Sequence, residues 1–395
     1  AYNRLLKIKQ HCLKHEELSY MPSILALEVQ FNFFYSADDI SQKKHNLIDE
    51  LEQYSQTLKN IFQLKQINLS ITSRHNHKLT QGLTDEEVNF YKDFLENETP
   101  RSDERSMSFN ERFFINSITA FIHNVLFNDL DQEFVYKKKN IALFEEYPHF
   151  IDNHIRLYFA AIFNNLSLSM TLGKINELEM DISKIKKLTT QHPSLERNML
   201  FVYFLEAKHN YNNRNYSFLS EEFQQQVLRH VRKFKQEKDY LTVLIFIYFA
   251  LTALALGQAQ SVQFFLRRLQ LLAKTLDGSY AQFFNVLDLI SHYETDDRLI
   301  IQNLLTAFKR KKKWAGGISP FFTEVLSFFS ELSRSREDSV AHLAKALKEK
   351  SGEFEEDGVR NLLKVFVLDN WLDSIIEGKK YAEKCEELSQ ESVAT

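Results

Sequence analysis

The run Leu241–Leu256 constrains the fold of this chain more than any other stretch, because it holds no charged residue and ends at Gly257. It is shorter than the roughly 20 residues that an apolar helix needs to span a bilayer. The residues that follow, QAQSVQFFLRRL, have the spacing of an amphipathic helix. A helix that is apolar on all sides is typical of the interior of a large protein. The pattern predicts a buried core helix, a turn at Gly257 and a second helix with one exposed face.

The same order of apolar helix, glycine and amphipathic helix occurs around Gly173 and Gly378. Between these glycines, clusters of turn-forming residues stand where a repeated unit would place its other breaks. The breaks together predict a repeat of about 40–44 residues. The predicted breaks that lack a glycine are Phe127–Gln132 (FNDLDQ), Asn212–Asn215 (NNRN), Glu294–Asp297 (ETDD) and Ser333–Asp338 (SRSRED).

The chain is poor in residues that end helices, with 9 Gly and 5 Pro against 34 Phe and 16 Tyr. Pro148, Pro193 and Pro320 fall midway between the predicted breaks, so none lies in a helix interior, where it would be costly. No segment has the period-2 pattern of a strand. We therefore expect an all-α chain in which helix A and helix B alternate. The A helices are predicted near 109–127, 151–172, 195–211, 239–256, 279–293, 319–332 and 359–376, and the B helices near 131–146, 174–189, 216–235, 259–275, 298–313, 338–350 and 379–389.

The residues before the repeats are less regular. Helices are predicted near 2–16 and 22–35, followed by a long one, and Thr84–Glu87 has the pattern of a capping box. The polar stretch ENETPRSDERSMS is typical of a linker. We predict a helical N-terminal region over 1–104 (a bundle or irregular capping repeats), repeats over 105–390 and a frayed tail over 391–395.

Three stretches carry a resemblance to a known family. LSLSMTLGK followed by INELEMDISKIKKL resembles tetratricopeptide (TPR) repeats, in which a glycine closes helix A, and LTALALGQAQSVQFFLRRL and DNWLDSIIEGKKYAEKCEEL have the same pattern. The chain is similar to uncharacterised bacterial TPR-like helical-repeat proteins over roughly 105–390. The resemblance implies a right-handed α/α superhelix with a helical N-terminal cap. The period exceeds the 34 residues of TPR, and Glu177 stands where TPR has a small residue, so HEAT-like packing stays open.

The sequence holds no motif of a known catalytic site. It lacks the phosphate-loop, dinucleotide-binding, HExxH and GxSxG patterns, and Gly316-Gly317 follows no predicted strand. His75 with His77, and His11 with His15, have no third metal ligand placed by spacing. The sequence thus predicts no enzyme, no cofactor and no metal. Two cysteines without metal-binding spacing, and no visible signal peptide, predict a cytoplasmic protein without membrane contact.

Basic residues cluster in the B helices, although the net charge of the chain is −4. Cations in the last turn of a helix stabilise it because they complement the negative end of the helix dipole. We prefer this interpretation of the basic clusters. The alternative is a basic ridge that binds nucleic acid, which the net charge makes a secondary hypothesis. The clusters are Lys137–Lys139, Lys184 with Lys186 and Lys187, Arg232 with Lys233 and Lys235, and Lys309–Lys313.

A stacked helical array leaves a concave surface that suits an extended peptide or a partner helix. We therefore expect a non-enzymatic interaction or scaffold protein whose partner is a protein or peptide, with the oligomeric state left open. An alternative is a peptide-sensing regulator with the N-terminal bundle as its output. The TPR resemblance implies that helix A residues line the concave face, and the candidate peptide-binding residues are Arg156, Asn165, Tyr203, Glu206, Tyr248, Thr252, Asn285 and Asp288.

Overall fold

The computed structural model describes residues 1–35, 40–78, 84–98, 107–272, 278–310, 317–334, 337–355, 357–366 and 368–394. These residues form helices and turns without a strand, and 87% of the structure is helical. The predicted all-α class is confirmed. The contacts divide the chain into two compact units, Ala1–Leu188 and Thr189–Thr395.

The helices follow the predicted alternation, and most predicted ends lie within a few residues of the observed ones. The predicted A helices near 151–172 and 359–376 each correspond to two helices in the structure. The bounds are α1 Tyr2–Lys14, α2 Met21–Tyr35, α3 Ile40–Lys78, α4 Asp85–Glu98, α5 Phe109–Phe127, α6 Leu130–Glu146, α7 His149–Asn153, α8 Ile155–Thr171, α9 Ile175–Gln191, α10 Met199–Asn212, α11 Glu221–Phe234, α12 Tyr240–Ala255, α13 Ala259–Leu272, α14 Gly278–Glu294, α15 Arg298–Arg310, α16 Pro320–Leu332, α17 Glu337–Lys350, α18 Gly358–Phe366, α19 Leu368–Ile376 and α20 Tyr381–Ala394.

The three glycine breaks share one backbone conformation. Gly173, Gly257 and Gly378 have φ values of +65°, +67° and +69°, a left-handed conformation that glycine adopts without steric cost. The amide after each glycine donates back to a carbonyl of the last helical turn, as Gln258 N–H does to Ala253 at 2.8 Å. This is the Schellman helix end. The predicted breaks at these glycines are confirmed.

Helices that end without a glycine also have a residue in the left-handed conformation at the break. Asn128, Arg214 and Asp296 have φ values of +51°, +58° and +58°. After Arg214 and Asp296, the following amide donates to the carbonyl four residues before the left-handed residue, as Asp297 N–H does to His292 at 2.9 Å. After Asn128, the Asp129 amide donates to the His123 carbonyl, five residues before Asn128, at 2.9 Å. The break predicted at Ser333–Asp338 separates α16 from α17, and 335–336 within it lie outside the described residues. The turns therefore recur at intervals of about forty residues, as predicted.

The first unit, Ala1–Leu188, begins with a set of helices that pack against one another. α1 packs against α2, α2 against α3, and both α3 and α4 against α5. Tyr91 of α4 and Ile118 of α5 share a buried hydrophobic cluster. The Glu16 carboxylate accepts hydrogen bonds from the Phe109 and Asn110 amides at the N-terminus of α5, where a negative charge is favoured. The N-terminal helices thus share contacts with the first predicted repeat.

The structure confirms the capping box that the sequence predicts at the start of α4. Thr84 and Glu87 form the predicted capping box, in which the Thr84 amide donates to Glu87 Oε2 at 2.9 Å and the Glu87 amide donates to Thr84 Oγ1 at 3.3 Å. The predicted domain boundary at 104/105, and most of the predicted linker, lie outside the described residues.

The second unit, Thr189–Thr395, is built around α12. Thirteen of its sixteen residues are buried, so the uncharged run is a core helix as predicted. α10, α13 and α20 pack against it. None of the helices that the structure describes is both long and apolar enough to cross a membrane.

Contacts between helices far apart in sequence also hold the second unit together. α20 packs on α12, and α18 packs on α14. Trp371 Nε1 donates to the Glu294 carboxylate at 3.0 Å, and Arg214 donates to the Leu388 carbonyl at 2.8 Å. In a simple solenoid each repeat contacts only its neighbours, so these contacts are additional to that pattern. The hydrogen bond from the Ser389 hydroxyl to the Arg214 carbonyl at 2.8 Å anchors α20, which continues to Ala394 into the segment predicted to fray.

Candidate functional site

Five of the eight predicted peptide-binding residues lie in the interior. Asn165, Tyr203, Tyr248, Thr252 and Asp288 are between 0% and 7% exposed. Burial raises the pKa of Tyr248 to about 12. A ligand would reach these side chains only after the helices separate, so the described conformation gives them a structural role.

Asn165 shows what such a buried polar residue does. Its Nδ2 donates to Asp181 Oδ2 at 2.9 Å, which links α8 to α9. Lys138 Nζ of α6 lies 3.4 Å from the other oxygen of Asp181 and 2.6 Å from Glu177. These contacts join three helices through one fully buried carboxylate. Buried polar groups of this kind need such partners to offset their desolvation.

The other three predicted residues are accessible to different degrees. Arg156 is exposed, and Glu206 and Asn285 are half-buried. Asn285 Nδ2 donates to the Ala281 carbonyl of its own helix at 2.8 Å. Their assignment to peptide binding stays a prediction.

Asp288 leads to a groove in the second unit, because it holds the polar floor of that groove in place. Its Oδ1 accepts a hydrogen bond from Gln263 Nε2 at 2.9 Å and lies 3.5 Å from His292 Nε2. Gln263 Nε2 also donates to the Ser291 hydroxyl at 2.7 Å. α13 is thereby fixed against the C-terminal half of α14, and the space between their exposed faces forms the groove.

The groove has a volume of about 640 Å³ and is lined mainly by α13. Gln260, Phe264, Arg267 and Leu271 follow one another at spacings of four, three and four residues along one face. At 1.5 Å per residue this stripe is about 16 Å long, three helical turns. The opposite face of α13 carries its buried residues, Val262, Phe265, Leu266 and Leu269. α13 therefore presents a second stripe that the core does not use.

A partly buried arginine stands beside this stripe. The Arg268 guanidinium lies 4.3 Å from the centre of the Phe264 ring. Its Nε is shielded from solvent and has no hydrogen-bond partner among the residues that the structure describes. Burial, and secondarily the charge of Arg232 on α11, lower the pKa of Arg268. The groove thus combines apolar surface with positive charge.

The polar floor of the groove lacks the geometry of a nucleophilic site. Ser291 is buried, and its hydroxyl donates to the Asp288 carbonyl at 2.9 Å. A serine nucleophile needs a hydroxyl that is hydrogen-bonded to its base and open to substrate. The arrangement of Asp288, Ser291 and His292 serves to hold Gln263.

Histidines cluster elsewhere, in the first unit, without forming a metal site. The rings of His11 and His15 are 4.4 Å apart, and His149 lies 5.3 Å from His15. Two of the ring nitrogens already bond the chain, since Asn153 Nδ2 lies 2.8 Å from His15 Nδ1 and His149 Nε2 lies 2.8 Å from the Lys14 carbonyl oxygen. Across the part of the chain that the structure describes, no group of three potential ligands could hold a metal ion. The side chains of His75 and His77 lie outside that part.

Four of the helix B lysines pair with carboxylates. This pairing reduces the positive potential that a nucleic-acid ridge would need. Most of the Lys309–Lys313 cluster lies outside the described residues. The observed pairs are Lys137–Glu133 at 2.5 Å, and Lys138–Glu177, Lys184–Glu145 and Lys233–Glu196, each at 2.6 Å.

Sequence reasoning assigned ligand contact to the A helices and missed the groove residues Phe264, Arg267, Arg268 and Leu271. The available signal was FFLRRLQLL, which places Phe264 and Leu271 out of phase with the core stripe of the same helix. Comparisons with protein-family models, curated proteins and solved structures yield no match to this chain, so the geometry of the groove carries the functional argument.

Proposed function

We propose that this protein is a non-enzymatic interaction protein that binds a helix of a partner protein in the groove between α13 and α14. The proposal includes a TPR-like, right-handed α/α superhelix with a helical N-terminal region. The recurrence of one turn type between paired helices supports it. It also includes a cytoplasmic location, which is supported by Cys12 and Cys385 being buried free thiols.

The exposed apolar stripe of α13 is the observation that carries the proposal. Phe264 is 41% exposed and Leu271 is 78% exposed, although the same helix buries its other face in the core. Covering both side chains would contribute about 2–3 kcal/mol to binding. Phe264 and Leu271 are seven residues apart, about two helical turns, so an amphipathic helix laid along the groove can contact both.

Selection from a phage-displayed library of random peptides tests this function. The full chain is immobilised, and enriched peptides are then measured against the double variant Phe264→Ser with Leu271→Ser. Leu299→Ser is the matched control, since Leu299 is an exposed leucine of α15 that does not line the groove.

We expect selected peptides with apolar residues at helical spacing, whose affinity falls in the double variant and persists in Leu299→Ser. Two results would overturn the proposal. One is no enrichment over a surface without protein, and the other is enriched peptides that bind the double variant as well as the original chain.

A further inference from the structure

The described part of the chain gives the arginines of the groove no ion-pair partner. Among the described residues, no carboxylate lies within salt-bridge distance of Arg267 or Arg268, whereas many lysines of this chain have one. The unbonded Nε of Arg268 is a buried donor, and leaving such a donor unsatisfied costs free energy.

The nearby acidic side chains are already engaged with other groups. Asp288 accepts from Gln263 and faces His292. Asp297, which also lines the groove, lies 3.6 Å from His292 Nδ1. The fold therefore supplies no described anion to neutralise Arg267 and Arg268, and the charge of Arg232 adds to theirs.

Phe264 prepares one of these arginines for binding. Its ring lies under the Arg268 guanidinium at 4.3 Å and restricts where that planar group can move. A planar guanidinium held in this way presents two parallel N–H donors to a carboxylate. The apolar Phe264 ring and the Arg268 guanidinium are therefore adjacent on the surface of α13.

From these contacts we propose that the partner helix is acidic, with glutamate or aspartate side chains that pair with Arg267 and Arg268 while its apolar residues cover Phe264 and Leu271. This inference rests on the proposed function, because it names the chemistry of the segment that the groove binds. A helix with acidic residues beside an apolar stripe is complementary to α13, where arginines lie beside Phe264 and Leu271.

Three labelled amphipathic peptides with the same leucines test the inference by fluorescence anisotropy. The first carries glutamate on its polar positions, the second glutamine and the third lysine. Each is titrated with the full chain, with the double variant Arg267→Gln and Arg268→Gln, and with a control that has Arg298→Gln and Arg310→Gln. The control removes the same charge from exposed arginines of α15 that do not line the groove.

We expect the glutamate peptide to bind most tightly, and its affinity to fall about tenfold in the groove variant but less than about twofold in the control. Added salt should weaken this binding, since the carboxylates reach the groove from solvent. Circular dichroism of the groove variant should match that of the original chain, because Arg267 is exposed and glutamine keeps a polar side chain at the partly buried Arg268.

The outcomes separate the inference from the function on which it rests. Equal binding of the glutamate and glutamine peptides, lost in Phe264→Ser with Leu271→Ser, overturns the acidic partner and leaves the groove function standing. Failure of all three peptides to bind counts against both. A duplex or single-stranded oligonucleotide that binds at Arg267 and Arg268 more tightly than the glutamate peptide overturns the acidic helix as the occupant.

Discussion

Replacing Lys138 by methionine should destabilise the first unit, because it leaves the Asp181 carboxylate buried without its cation. The pair is 3.4 Å apart, and Asp181 is fully buried while Lys138 is partly exposed. At an effective dielectric constant of 20, the Coulomb energy at that distance is about 5 kcal/mol. Breaking a buried pair costs about 3–5 kcal/mol in proteins. The Asn165 amide still bonds Asp181 in the variant, so we expect a loss of about 2–3 kcal/mol.

Native-state hydrogen exchange is the appropriate assay, since a chain with two compact units need not unfold in one step. Amides of α6, α8 and α9 should lose protection in Lys138→Met. The matched control is Lys187→Met on α9, because Lys187 is exposed and outside the network, and it should change stability by less than about 0.5 kcal/mol.

A second substitution shows whether the uncompensated charge of Asp181 causes the loss of stability in Lys138→Met. Adding Asp181→Asn to Lys138→Met removes the uncompensated charge and keeps an acceptor for Asn165, so part of the lost stability should return. The reasoning would be refuted if Lys138→Met cost no more than Lys187→Met. It would also be refuted if Asp181→Asn recovered nothing.

Three further predictions follow from the helix ends and the histidine cluster. Gly257→Ala should cost about 1–2 kcal/mol by thermal unfolding, because φ is +67° there, whereas Gly352→Ala, which has open space around it and no positive φ, should be nearly neutral. Asp357→Ala should cost about 2–3 kcal/mol, since its carboxylate accepts from the Ser319 hydroxyl and three backbone amides; a smaller loss than that of Gly257→Ala would contradict this. Burial, and then the neighbouring histidines, lower the pKa of His15, so the folded state binds fewer protons than the unfolded one. Stability to urea should therefore fall as pH drops below about 6.5, and His15→Asn should flatten that dependence.

The helix order could be predicted from sequence because the signals are local. Gly257 has to adopt a left-handed conformation after an apolar helix, and that requirement is visible in the residues beside it. The breaks at Asn128 and Asp296 were also predictable, since Asn and Asp tolerate that conformation. Local chemistry therefore set the positions of the turns.

Burial of the predicted ligand contacts could not be predicted in the same way, because it depends on which helices meet. The resemblance to TPR repeats implies a ligand contact at Asn165, but its Nδ2 donates to Asp181 of α9. The partner of Asp288 is likewise Gln263 of a different helix. A single sequence does not show such pairings between helices, and they decide which polar side chains reach the surface.

Site-specific photo-crosslinking tests the central claim, that the α13–α14 groove binds a partner helix, most directly. A benzophenone side chain replaces Phe264 in one chain and Leu299, an exposed residue of α15 outside the groove, in another. The account predicts that the glutamate peptide crosslinks at 264, that unlabelled peptide competes with it, and that 299 gives only background. Equal yields at both positions, or no crosslink at 264 while the peptide is bound, would contradict it.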